Sequence, residues 1–214
     1  MNLFAELLAT PGVVEECELR GSFGFMAFHG GNLEVATDVI ARGAAHRCGA
    51  SYYGVIQPTD LRWHIPSIAV NPSASPKLAS FLDHVTAVIA VHGYGRDGFW
   101  TSLLLGGRNR SLANDLAIEL RRKLPDYTII DDIESIPEEL RGQHSLNPVN
   151  MPIDHGVQLE LPPRVRGTTP HWESWKGPGH VPPVEALIEA LAATAITRML
   201  LEPSPTDPIA NAAG

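Results

Sequence analysis

The chain has 214 residues, 44% hydrophobic and 19% charged, a balance that fits one globular domain large enough to cover both faces of a sheet. Its formal net charge of −8 argues against non-specific binding to nucleic acid, itself a polyanion. Two cysteines, Cys17 and Cys48, with no CxxC spacing, exclude a disulfide framework and are read as small buried hydrophobes.

Met1 to Glu6 has no basic stretch leading into a long apolar one and does not read as a signal peptide. The longest apolar segment, Val184 to Leu201, is broken by Glu185, Glu189 and Arg198, which makes it an amphipathic core helix rather than a membrane span. The expectation is a cytoplasmic protein without membrane or nucleic-acid partners, release by cell lysis remaining open.

In chain order, Val13 to Leu19 predicts a first strand, at a sheet edge because of Glu15, Glu16 and Glu18. The apolar run from Phe23 to Phe28 predicts a buried strand ending at His29, broken by Gly30-Gly31. Asn32 is placed to cap a helix that Leu33, Ala36, Ile40 and Ala41 suggest by spacing, running to about Arg47, with Glu34 in its first turn. Ser51 to Ile56 reads as a strand. Gln57 to Pro76 reads as an irregular loop carrying Trp63 and His64, followed by a short helix from Lys77 to Asp83. Thr86 to Val91 is a strand that runs into His92 and then Gly93-Tyr94-Gly95. Gly93 to Gly98 spells G-x-G-x-x-G, but the apolar run Phe99 to Leu105 follows where a dinucleotide site needs a helix.

Gly106-Gly107 breaks that run, and Ser111 is placed to cap a helix from Leu112 to Leu124 whose last turn carries Arg121, Arg122 and Lys123, as the helix dipole prefers. Tyr127 to Asp131 predicts a strand, Glu134 to Leu140 a short helix, and Gly142 to Asp154 a polar loop. Val157 to Leu161 alternates, with Val157, Leu159 and Leu161 on one face and Gln158 and Glu160 on the other. A Gly/Pro/Trp-rich loop from Thr168 to Pro183 precedes a last helix opened by Pro182-Pro183 and running to about Leu201. The sum is an α/β fold: a single domain over residues 1–202 with a mixed, mostly parallel sheet and helices on both faces, and a frayed tail over 203–214.

In an open parallel sheet, ligands bind beyond the carboxyl ends of the strands. His29, Glu34 and His92 fall at two such ends and offer two imidazoles and a carboxylate, the donor set of a catalytic zinc site with one position left for water. A strand-end histidine bonded to backbone explains either imidazole alone, and dipole compensation explains Glu34, but neither explains the three together. Glu160, beside Gly156 and Pro162 on a short strand, is placed to act as general base. Arg108 and Arg110, after a Gly-Gly turn, can bind a substrate carboxylate bidentately. His144, His155, His171 and His180 sit in loops and are assigned no chemistry.

The stretches His29-Gly30-Gly31-Asn32-Leu33-Glu34-Val35-Ala36-Thr37, His92-Gly93, Leu105 to Arg110, Asn147 to Asn150 and Gly156 to Leu161 resemble, in order and spacing, the poly-γ-glutamate hydrolase family of bacterial and phage zinc enzymes, over roughly Gly21 to Arg166. The resemblance implies a fold like that of the zinc carboxypeptidases. It implies zinc on His29, Glu34 and His92, with Glu160 as catalytic carboxylate. It also implies a substrate carboxylate near Arg110 or its neighbours Arg108 and Asn109. The substrate implied is a γ-glutamyl polymer or a small peptide. Two alternatives stay open: a metal-free binding protein that holds a carboxylated peptide through Arg108, Arg110 and Asn150, and a zinc enzyme acting on another amide.

Overall fold

A computed structural model describes residues 2–201 of the chain. The expected tail over 203–214 lies outside the described residues. One seven-stranded sheet runs through them in the order β1-β3-β2-β4-β7-β5-β6. Its strands are β1 (Val14–Glu18), β2 (Phe23–Gly31), β3 (Ser51–Gln57), β4 (Ala87–Gly93), β5 (Ser102–Leu105), β6 (Thr128–Ile130) and β7 (Gly156–Leu161). The four central strands β3, β2, β4 and β7 are mutually parallel, β1 joins β3 antiparallel at one edge, and β5 with β6 runs antiparallel to β7 at the other.

The pleat sorts the core. Phe25, Ala27, Ile89, Val91, Val157 and Leu159 face one side, where α2 (Thr37–Cys48), α4 (Arg110–Lys123) and α5 (Pro182–Leu201) cover them. Met26, Phe28, Val88 and Ala90 face the other, under α1 (Leu3–Leu8), α3 (Pro76–His84) and the loop after β3. Each central strand is therefore buried on both faces, which is why β2 and β4 read as unbroken apolar runs.

Some local expectations are corrected. α2 starts at Thr37, later than its apolar spacing suggested, because Ala36 sits in the left-handed region at φ 75° and no side chain caps the helix. Asn32 turns away instead and donates from Nδ2 to the carbonyls of Thr59 and Leu61. Glu34 is thus in the turn before the helix, not in its first turn. Asn109 caps α4 in place of Ser111, its Oδ1 accepting the Leu112 N–H at 2.9 Å. Only Ser102–Leu105 of the run from Phe99 is strand, and the segment around Glu134 to Leu140 forms two separate 3-10 turns. Cys17 and Cys48 are free thiols, both half-buried rather than buried. No helix among the described residues is long and apolar enough to cross a membrane.

Candidate metal centre and its cleft

β2, β4 and β7 bring their carboxyl ends to one edge of the sheet. There β4 and β7 present side chains by register alone. His92 is the direct partner of Glu160, as Ala90 is of Gln158, so all four project from one face. β2 follows a different route. Strict alternation from Phe25 and Ala27 would send His29 to the α2 side. A register shift between Ala27 and Gly30 breaks the alternation, as bulges beside active sites do, and turns the ring toward His92. The two ring centroids lie 5.1 Å apart.

The chain must then fold back sharply to return Glu34 to the same place. Gly31 takes φ 69°, and a Cβ there would stand 2.2 Å from the Gln57 carbonyl oxygen, so only glycine fits. The Glu34 N–H donates to the His29 carbonyl at 3.0 Å and closes the turn. Its carboxylate then lies between the imidazoles, Oε1 3.0 Å from His29 Nδ1 and Oε2 3.4 Å from His92 Nδ1, while Oε2 also accepts the Gly93 N–H at 2.9 Å.

This arrangement fits a metal cation. His29 Nε2 donates to the Ile65 carbonyl at 3.0 Å, which leaves Nδ1 as a lone pair aimed at a carboxylate oxygen. Two acceptors facing each other need a cation between them, a proton or a metal. His92 Nε2 is buried and has no hydrogen-bond partner. Nitrogen and carboxylate donors in this mixture suit zinc. A third imidazole stands close by: ligand-type atoms of His29, Glu34 and His64 all lie within 4.8 Å of one another.

The electrostatics separate the two carboxylates. Burial pushes Glu34 upward, but the facing His29 and His92 outweigh it and hold the group ionised, well below the ordinary carboxylate range. The same carboxylate raises His92 against the effect of its burial. Glu160 forms no ion pair with His92, its partner on the adjacent strand. Burial pushes it up to about 7, with His92 only partly opposing. Its Oε1 accepts from Gln158 Nε2 at 2.9 Å, and Gln158 is held in turn by Asn147 at 2.7 Å, so the carboxylate is oriented by a two-residue relay.

These groups form the floor of a cleft of about 1010 Å³, walled by Pro66 to Ile68, Tyr94 and the segment from Glu138 to Ser145. Arg108 lines it, exposed, with Nε bonded to the Gln143 carbonyl. The other three expected substrate residues point elsewhere. Arg110 turns inward and donates to the carbonyls of Leu105, Gly106, Gly107 and Asp131. Asn109 caps α4 and holds the Asp154 carbonyl. Asn150 accepts the Arg108 N–H and donates to the Gly142 and His144 carbonyls. All three shape the cleft's wall without lining it.

Sequence reasoning missed three groups. His64 and His144 line the cleft from loops with no periodic signal. Arg166, mostly buried, lies against Gly93 and donates to the carbonyls of Leu161 and Val35, tying the end of β7 to the turn that holds Glu34. A Cβ at Gly93 would meet its guanidinium carbon at 2.8 Å, which is the one signal in the sequence that pointed to a close approach.

Comparison with known proteins places this geometry. The model of the family described as poly-gamma-glutamate hydrolase matches residues 5–171. No curated relative matches the chain by sequence. Among solved structures, a bacteriophage poly-gamma-glutamate hydrolase superposes with a TM-score of 0.74 at 22% identity, over 92% of this chain and 95% of that one. A zinc-free form of the protein YNDL superposes at 0.70 with 18% identity, over 86% and 89%. A gene product of Agrobacterium tumefaciens, Atu2144, follows at 0.53 with 11% identity, over 88% and 96%. At these identities the structural likenesses establish the fold alone.

Proposed function

The chain belongs to the poly-gamma-glutamate hydrolase family, and from that premise we propose that it is a zinc-dependent hydrolase that cuts γ-glutamyl amide bonds with Glu160 as general base. The observation that carries this reading is the convergence of two imidazoles and two carboxylates, those of His29, His92, Glu34 and Glu160, on one cleft floor. Glu34 is held ionised between His29 and His92, while Glu160, opposite His92 on the next strand, is pushed up to about 7.

His29, Glu34 and His92 would hold the zinc, which when bound supplies Lewis acidity toward the scissile carbonyl and toward water. Glu160 takes a proton from the attacking water and delivers it to the departing amine nitrogen. Gln158 fixes the direction of the carboxylate through its 2.9 Å bond. Arg108, bonded only through Nε, has terminal guanidinium nitrogens to offer the α-carboxylate that a γ-linked glutamate leaves beside its amide. An α-linked peptide puts the carboxylate elsewhere relative to the scissile bond, so the linkage itself is open to discrimination.

The test is to measure zinc content and chain shortening of poly-γ-glutamate by the purified protein, before and after chelation, with an α-linked glutamate oligomer alongside. The reading expects about one zinc per chain, activity lost on chelation and restored by zinc, and a preference for the γ-linkage. Zinc-free protein that takes up no zinc overturns it. Retention of the polymer that survives chelation, without cleavage, favours the metal-free binding protein instead.

A further inference from the structure

Beyond the three residues assigned above, the cleft holds a third imidazole whose backbone is pinned and whose ring is free. His64 belongs to the loop between β3 and the first 3-10 turn, Ser67–Ala69. Its neighbour on one side, Trp63, is clamped at both backbone groups by the buried Gln57 side chain. Gln57 Nε2 donates to the Trp63 carbonyl at 2.9 Å, and the Trp63 N–H donates to Gln57 Oε1 at 2.8 Å. Its neighbour on the other side, Ile65, is buried and accepts the His29 Nε2 proton. Both anchors come from the metal centre's own surroundings: Gln57 ends β3, beside the Gly31 turn, and His29 is a proposed ligand. Between them the His64 ring is exposed to the cleft, stands 4.9 Å from the His29 ring and, among the described residues, makes no hydrogen bond.

A side chain that serves only solubility is not held this way. The loop fixes the root of the imidazole within reach of His29 and Glu34, with ligand-type atoms of all three inside 4.8 Å, and no hydrogen bond among the described residues fixes its rotamer. His29 and His92, by contrast, are buried and immobilised by their contacts with Glu34. Zinc with three protein ligands keeps a further position open. A neutral imidazole is a good zinc ligand, and a ring hinged at the cleft wall can enter or leave that position at the cost of a rotamer change.

We propose that His64 is a fourth, exchangeable ligand of this metal centre, closing it when the cleft is empty and withdrawing when another donor takes the position. This rests on the zinc reading given above. A ligand pinned at the backbone but free at the ring adds affinity for the metal without being required for it, so its removal weakens binding and leaves a site that an external imidazole can complete.

The test uses the metal alone. Zinc affinity is measured by competition with a chromophoric chelator for the full-length wild type, His64→Ala and His144→Ala, the last a control histidine on the same cleft wall. Visible spectra of the cobalt-substituted proteins are recorded in parallel, with and without added free imidazole. The proposal expects His64→Ala to bind zinc about 10-fold more weakly, in the range by which supporting groups around metal sites act. It also expects an altered cobalt spectrum that free imidazole returns toward the wild-type one, and no change for His144→Ala. Unchanged affinity together with an unchanged cobalt spectrum in His64→Ala overturns the proposal and leaves the zinc reading intact. Wild-type protein that binds neither metal overturns both. Lost affinity that imidazole does not restore, with an unaltered spectrum from the residual bound cobalt, assigns His64 to holding the loop and also overturns it.

Discussion

Replacing Glu160 by glutamine removes one titrating group from the cleft floor with almost no change of shape, and its effect on stability has a sign fixed by burial. Glu160 is only 4% exposed, and its pKa moves from an ordinary 4.5 in the unfolded chain to about 7 in the folded one. Below pH 4.5 both states keep the proton and the group is neutral toward folding. Between pH 4.5 and 7 the unfolded chain releases it while the folded chain retains it, so stability falls as pH rises. Above 7 the folded protein carries the buried charge, and the full penalty, about 3 kcal/mol, is in place. Most of it accrues between pH 5 and pH 8 by the same relation. Glutamine has nothing to titrate. In urea unfolding of chelator-treated protein, Glu160→Gln should therefore gain on the wild type by roughly 2–3 kcal/mol from pH 5 to pH 8. Glu160 also helps to raise His92, and losing that effect acts in the same direction, because a less raised histidine loses less stability as pH rises. A stability difference that stays constant across this range, or that shrinks with rising pH, refutes the argument that desolvation governs this carboxylate.

Other substitutions divide the roles further. Glu34→Gln removes the anion between His29 and His92 and should cost more zinc affinity than the roughly 10–100-fold typical of outer supporting groups, whereas Glu160→Gln should keep its zinc and lose about 10²–10⁴ in turnover; metal titration and polymer shortening on both variants check this. Arg108→Ala, at an exposed cleft position, should leave the unfolding midpoint unchanged and weaken polymer binding, while Arg110→Ala, which strips a donor from four backbone carbonyls, should cost about 3 kcal/mol of stability, as loss of buried charged hydrogen bonds does, measured by urea unfolding. Gly31→Ala places a Cβ 2.2 Å from the Gln57 carbonyl oxygen at φ 69°; it should destabilise by about 1–3 kcal/mol and displace Glu34, read as lost zinc affinity beside the unfolding curve.

The sheet was legible because its central strands are buried on both faces. Phe23 to Phe28 and Thr86 to Val91 need no partner to read as strands, and the structure bounds them within a few residues of the expectation. His92 and Glu160 were legible for the same reason, since each ends or alternates within such a strand. His29 was legible as a strand-end partner for them, but not its route, because strict alternation places it on the other face and the register shift after Ala27 leaves no mark in the sequence beyond two glycines. The start of α2 was hidden by Ala36, which adopts a left-handed conformation that alanine rarely takes. Asn109 caps α4 in place of the expected Ser111 because the two residue types cap about equally well and only the path of the chain chooses between them. Arg110 misled because a cation beside Gly-Gly looks available from sequence, whereas the turn itself supplies carbonyls that consume its donors. His64 carried no signal because an irregular loop has no period against which a residue stands out.

The strand order also has a temporal side. β1, β3, β2 and β4 are sequential neighbours in one half of the sheet, and all three proposed metal ligands, His29, Glu34 and His92, lie in or between them. β7 enters later in the chain but occupies an interior slot between β4 and β5, and it alone carries Glu160. During synthesis from the amino end, every proposed metal ligand is therefore translated before the proposed base. Pairing β4 with β7 closes a long loop, the kind of contact that forms late because its entropy is lost before any contact is gained. The order of the chain thus sets the proposed ligands ahead of the proposed base, whose six-residue strand completes the cleft floor.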